Sequence, residues 1–131
     1  QIGDVLLTTE APLGNVAQID NKNVALAQRV IKFRGNSLLN NEFLKYYMLN
    51  DRFQRLLRAN AIGSTVLGIQ GKVLHKIPVC TPSIDEQQKI AECLTSIDSQ
   101  ITAQTKKLAA LKAHKKGLMQ QLFPVMDGVG V

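Results

Sequence analysis

A chain of 131 residues with 45% hydrophobic content can bury one compact core and carry an appendage, but it is too short for two full domains. Its formal net charge of +6 favours a polyanion such as nucleic acid, with solubility alone as the bland alternative. No apolar run is long enough to span a bilayer, no signal peptide opens the chain, and Cys80 and Cys93 have neither metal-ligand spacing nor a disulfide framework, which fits a reducing cytoplasm.

The charge is unevenly placed. Residues 1–20 carry Asp4, Glu10 and Asp20 and no base, and residues 82–131 are nearly balanced. Between them lie Lys22, Arg29, Lys32, Arg34, Lys45, Arg52, Arg55, Arg58, Lys72 and Lys76, opposed by Glu42 and Asp51 alone. A solvated face normally mixes both signs, so this block points to a phosphate-facing surface. The chain opens on Gln1-Ile2-Gly3 rather than Met, and Asp4 leads straight into a strand-like run. The expectation is a piece of something longer, lacking an N-terminal part of its domain, or a processed form.

In chain order, Val5-Leu6-Leu7-Thr8-Thr9 reads as a buried strand, and Ala11-Pro12-Leu13-Gly14-Asn15 as a turn. Val16–Ile19 and Val24–Phe33 read as further strands across the polar turn Asp20-Asn21-Lys22-Asn23. Alternation in the second run is imperfect, so its buried face stays open. Asn40 or Asn41 caps a helix expected to run to about Arg58, with Phe43, Leu44, Tyr47, Met48, Phe53, Leu56 and Leu57 as its apolar stripe. Arg52, Arg55 and Lys45 or Arg58 fall on the other side, as a solvated face or a phosphate-binding one. Residues 59–71, with Gly63, Gly68 and Gly71 around Ser64, Thr65 and Gln70, form a loop by composition but match no phosphate-loop pattern. Lys72–Val79 reads as a short strand closed by Pro78 and Pro82.

The end of the chain carries the clearest local signal. Ser83 is an N-cap with Glu86 as its capping-box partner, and Asp85 and Glu86 place acids in the first turn. Ile90, Leu94, Ile97, Ile101, Gln104, Leu108, Leu111, Lys115, Leu118 and Leu122 then recur at strict 4,3 spacing. That is a coiled-coil seam on a helix about 60 Å long, more than a head of this size can cover, so the seam needs a partner helix. Gln104 is either a tolerated polar position or a buried amide that fixes register; Lys115 snorkels. The expected fold class is α+β: a small mixed domain of strands and one or two helices over 1–82, one long C-terminal coiled-coil helix over 83–123, and a flexible tail over 124–131.

An enzyme finds little support. His75 and His114 are far apart, Ser64-Thr65 has no His/Asp partner identifiable in sequence, the carboxylates do not cluster, and no metal-ligand spacing occurs. Few aromatics argue against stacking on single-stranded bases. No catalytic residue, metal or cofactor is expected on this chain.

Five fragments in order carry a family resemblance. Gly63-Ser64-Thr65-Val66-Leu67-Gly68-Ile69, then Leu74-His75-Lys76-Ile77-Pro78-Val79, then Pro82-Ser83-Ile84-Asp85-Glu86-Gln87-Gln88-Lys89-Ile90-Ala91 resembles the specificity subunit of type I restriction-modification systems, at the junction of a target recognition domain with its spacer helix. Lys116-Gly117-Leu118-Met119-Gln120-Gln121-Leu122-Phe123 is similar to the end of that helix, and Gly3–Thr9 with Gly14-Asn15-Val16-Ala17 to a strand-turn-strand inside the recognition domain. The resemblance implies two recognition domains per whole subunit, each reading half of a split target in double-stranded DNA. It also implies two long helices packed antiparallel, with modification (methyltransferase) subunits docked on them. Methyl transfer and cleavage, with S-adenosylmethionine and ATP, would belong to other subunits.

On that basis Arg29, Lys32, Arg34, Lys45, Arg52, Arg55, Arg58, Lys72 and Lys76 are candidates for phosphate contacts. Thr9, Glu10, Ser64, Thr65 and Gln70 are candidates for reading bases from loops, with Lys72 beside them; a loop residue facing water is the alternative for each. The seam of Ile90, Leu94, Ile97, Ile101, Gln104, Leu108, Leu111, Leu118 and Leu122 would pair with a second copy or with the other half of a specificity subunit. The competing readings are a protein-interaction adaptor that uses the coiled coil alone, and a remnant that folds without reading DNA.

Overall fold

The computed structural model describes residues 1–123; the tail expected over 124–131 lies outside them. Three strands, β1 (Val5–Thr8), β2 (Val16–Gln18) and β3 (Val30–Phe33), precede four helices, α1 (Asn41–Leu49), α2 (Asp51–Ala59), α3 (Gly71–Leu74) and α4 (Ile84–Leu122). The fold is α+β, as the sequence leads one to expect. Residues Gln1–Leu94 form one compact unit, the head, which includes the first turns of α4; a second unit begins at Thr95.

The sheet is antiparallel with order β2-β1-β3. Leu6 faces Ala17 on one side and Lys32 on the other, and Leu7 faces Val16 and Ile31. The period of two along a strand sends Val5 and Leu7 into the core and leaves Leu6 and Thr8 half-buried on the opposite face. Val5 and Leu7 join Leu44, Met48, Phe53, Leu57, Ile69 and Leu74 in one cluster. The β1–β2 connection is fastened to α2: Gly14 has φ +91°, and a Cβ there would lie 2.5 Å from Gln54 Oε1. The Gln54 amide donates to the carbonyls of Gly14 and Met48, at 2.9 and 2.8 Å.

Three expectations are corrected. Only Val30–Phe33 of the run from Val24 pairs in the sheet; residues 24–28 find no ladder partner, and apolar content without pairing makes no strand. The single helix expected from Asn40 to Arg58 is two. Asn40 does cap α1, accepting from the Phe43 N–H at 3.0 Å. Asn50 then leaves helical geometry (φ −70°, ψ 150°), donates to the Tyr47 carbonyl, and caps α2 by accepting from the Phe53 N–H. The gap from Met48 to Phe53 explains the break: five residues turn an unbroken helix by about 140° from the starting direction, so one straight helix could not bury both. Lys72–Val79 is not a strand. Leu74 and His75 N–H groups bond back to Gln70 and Gly71, making α3, and a turn through Lys76 and Ile77 follows. One helical turn seats Leu74 in the core with Val73 and Ile77 packed beside it, whereas a strand would send Val73 and Leu74 to opposite faces.

At the start of α4, Ser83 and Glu86 form the reciprocal capping box: the Ser83 N–H donates to Glu86 Oε2 at 3.1 Å and the Glu86 N–H to Ser83 Oγ at 3.4 Å. One turn on, Gln87 is fully buried. Its Oε1 accepts from the Asn40 N–H (2.9 Å), and its Nε2 donates to the Leu38 and Pro82 carbonyls (both 2.9 Å). Ala91, one turn further, is buried on the same side. Replacing Gln87 by Leu removes three hydrogen bonds to backbone groups and offers nothing in return. The expected loss is about 1–3 kcal/mol, seen as a lower urea midpoint of the head, with Ala91→Gly as a control for propensity loss on the same helix face.

Candidate nucleic-acid interface

The head has two ends, separated by the four residues of β1, about 13 Å. At the first, Asp4 is 1% exposed and accepts a fork from Arg34, Nε to Oδ1 at 2.7 Å and Nη2 to Oδ2 at 2.8 Å. The Gln1 amino group lies 2.8 Å from Oδ2 and Lys32 Nζ 3.6 Å from it. The Arg34 fork, followed by the amino group, holds the Asp4 carboxyl far below the ordinary carboxylate range. Asp4 in turn raises the Arg34 guanidinium. Charges gathered here neutralise one another.

At the second end, the Thr9 carbonyl accepts from the Ile69 N–H, Glu10 bridges to Gly68, and Ile62 pairs with Gly68, so the glycine-rich loop closes against the end of β1. Gly63 adopts φ +129°, and a Cβ there would fall 2.0 Å from the Val66 carbonyl oxygen; this tight turn excludes any side chain at that position. A groove lined by Ala11, Pro12, Leu13, Arg58, Thr65, Val66 and Leu67 runs between this loop, the β1–β2 turn and α2. Arg58 and Thr65 thus share one site with Ala11, Pro12 and Leu13, which lie far off in sequence.

The phosphate candidates divide by partner. Arg34 and Lys32 are committed to Asp4, Arg29 Nη1 lies 2.5 Å from Glu10 Oε1, and Lys45 pairs with Glu42 at 2.7 Å while covering the Tyr46 ring. Arg34 in particular is no ready phosphate ligand, since its fork is already filled. Arg52, Arg55, Arg58, Lys72 and Lys76 are exposed and make no ion pair among the described residues. The three arginines recur every third residue on α2. At 100° per residue their mean direction is opposite that of the buried Phe53 and Leu57, so burying the apolar pair forces the guanidiniums outward.

Among the base-reading candidates, Ser64, Thr65 and Gln70 are exposed, and Gln70 opens α3 without using its side chain as a cap. Glu10 is half-buried in its pair with Arg29. Thr9 is 8% exposed, and its hydroxyl donates to the Arg29 carbonyl at 2.9 Å. Sequence reasoning missed Asp4 and Gln87. An acid directly before a buried strand and an amide one helical turn ahead of Ala91 were the available signals.

Along α4, Leu94 is half-buried within the head. Ile90, Ile97, Ile101, Leu108, Leu111, Leu118 and Leu122 are between 41% and 69% exposed, and Gln104 is exposed among them. Among the described residues no His, Cys, Asp or Glu cluster suits a metal ion, and no helix is long and apolar enough to cross a membrane.

The model of the type I restriction modification DNA specificity domain matches residues 1–113, and the chain belongs to that family. Among similar proteins are three from Methanocaldococcus jannaschii: the type I restriction enzyme MjaVIII and MjaIX specificity subunits, each 30% identical over 129 residues and 92% of this chain, and the putative MjaX specificity subunit, 30% identical over 135 residues and 93% of it. The chain spans less than a third of the length of these relatives, 28–30%.

The Asp4 cluster makes a pH prediction. A carboxyl whose folded-state pKa lies below its ordinary value of 3.8 stabilises the fold fully above that value and progressively less as pH falls beneath it. Urea midpoints of the wild-type chain should therefore drop between about pH 5 and pH 2. Asp4→Asn should be less stable at neutral pH and show a flatter acid limb.

Proposed function

We propose that the chain is a non-catalytic half of a type I specificity subunit that recognises a sequence in double-stranded DNA. The loop end of the head and the outward face of α2 lie against the duplex. The α4 seam pairs with a second copy or with the other half, and modification subunits, which carry methyl transfer, are thereby positioned on the target. The observation that carries this reading is the row of Arg52, Arg55 and Arg58, exposed and making no ion pair among the described residues, beside the groove that holds Thr65. Family membership supports it. Lys72 and Lys76 are further exposed cations of the head. Ser64, Thr65 and Gln70 supply donors and acceptors suited to base edges in the major groove.

Electrostatic contacts and the seam are separately testable. Changing Arg52, Arg55 and Arg58 together to Gln should weaken binding to any duplex and reduce the steepness of log affinity against log salt by roughly 2–3, since each phosphate contact contributes about 0.9. An unchanged slope would remove α2 from the interface and favour an adaptor that works through its coil alone. For the seam, sedimentation of the wild-type chain should show a dimer. Leu108→Asp should return it to monomer, with association weakened on the order of 100-fold by a charge placed on an apolar face. A wild-type chain that stays monomeric at high concentration would rule out self-pairing.

A further inference from the structure

Arg29 differs from every other basic residue of the head. Its backbone takes φ +67°, a left-handed conformation uncommon for a long side chain. The conformation is held because its carbonyl accepts two hydrogen bonds from Thr9, from the N–H at 2.8 Å and from the hydroxyl at 2.9 Å. Its guanidinium is fixed at the other end by Glu10 at 2.5 Å, and Glu10 is anchored through its backbone bridge to Gly68 in the glycine-rich loop. Yet the Arg29 side chain is 58% exposed. A residue held at its backbone by Thr9 and at its guanidinium by Glu10, with its side chain still open to solvent, is poised to meet something outside the protein.

Phosphate is a poor match. Glu10 cancels the charge of Arg29, and a neutral pair releases little counterion from DNA; the unopposed arginines of α2 are better placed for that role. What the pair retains is directional hydrogen bonding. Glu10 Oε1 engages Nη1, and the other guanidinium N–H donors make no hydrogen bond among the described residues. Glu10 Oε2 makes no hydrogen bond among the described residues. Donors and an acceptor therefore stand side by side.

We propose that Arg29 and Glu10 act as one unit that reads a single G·C base pair in the major groove, Arg29 donating to guanine N7 and O6 and Glu10 accepting from cytosine N4. Across that groove a G·C pair shows two acceptors followed by a donor, the complement of the pair's donors and acceptor. An A·T pair sets its N6 donor where Arg29 also donates. Two fixed ends lower the entropy lost when the fork engages. This assignment rests on the head binding duplex DNA, and it makes Arg29 a specificity residue rather than a phosphate contact.

The test is enrichment from a randomised duplex library by the full chain assembled with a modification subunit, for wild type, Arg29→Gln and Glu10→Gln, with thermal unfolding to establish that each variant is folded. Wild type should select a site containing one G·C position whose discrimination falls on the order of 10–100-fold in Arg29→Gln. Glu10→Gln should relax that same position and steepen the salt dependence by roughly 0.9, because Arg29 then acts as an unopposed cation. Independently of any variant, 7-deazaguanine at that position should weaken wild-type binding, by removing N7, and leave Arg29→Gln indifferent. The same selected site for all three proteins would overturn the assignment, as would wild-type binding insensitive to 7-deazaguanine at every guanine of the site. Failure of wild type to enrich any sequence is a different result: it would sink the proposed function itself, and this assignment with it.

Discussion

The Gln87 side chain is the joint on which the head depends. Its amide reaches backbone groups of three segments, the Asn40 N–H at the entry to α1, the Leu38 carbonyl in the loop before it, and the Pro82 carbonyl before α4. An apolar residue of the same size would fill the volume and leave all three groups unsatisfied. The amide is bonded on both its oxygen and its nitrogen, and no buried side-chain polar atom lacks a partner among the described residues. The same Asn40 whose N–H is captured also caps α1 through its side chain. The start of the long helix and the start of the first short one are thus a single hydrogen-bonded unit, so a change at either propagates to the other.

From that joint the charge distribution falls into order. Near it, Asp4 gathers Arg34, Lys32 and the amino group of Gln1 into a closed, self-neutralising cluster. At the far end of β1 the cations are either held at arm's length, as Arg29 is by Glu10, or left unopposed on α2. Net positive charge is therefore not spread over the head. One end uses its charges to hold the fold, and the other carries Arg52, Arg55 and Arg58 without an ion pair among the described residues.

How much of this was legible depended on how local each cause is. The capping box of Ser83 and Glu86 and the heptads of α4 lie within a few residues of one another, and both the start and the extent of that helix follow from them. The outward row of arginines on α2 was legible for the same reason. The break at Asn50 was half-written in the five-residue gap between Met48 and Phe53, which an apolar tally over the whole segment conceals. Lys72–Val79 was not legible: Val73, Ile77 and Val79 suit a strand by propensity, and only the demand of Leu74 for the core selects a helical turn. The acid partners of Arg29 and Arg34 lie far off in sequence, at Glu10 and Asp4, and no spacing announces a contact across strands. That is why nine candidate cations looked equivalent when the fold makes them unequal.

The double role of Asn50, ending α1 and beginning α2, has a consequence for how such a surface can change. The turn resets the apolar phase, so α2 meets Leu44 and Met48 of α1 through Phe53, Leu57 and Gln54, and its outward residues touch none of these contacts. The inward side of α2 is held by Phe53, Leu57 and the Gln54 amide. Side chains at 52, 55 and 58 can be exchanged for others of different charge or reach while the scaffold keeps its shape. A single residue, Asn50, thereby separates the helix turned into the core from the helix whose outer row is free to vary.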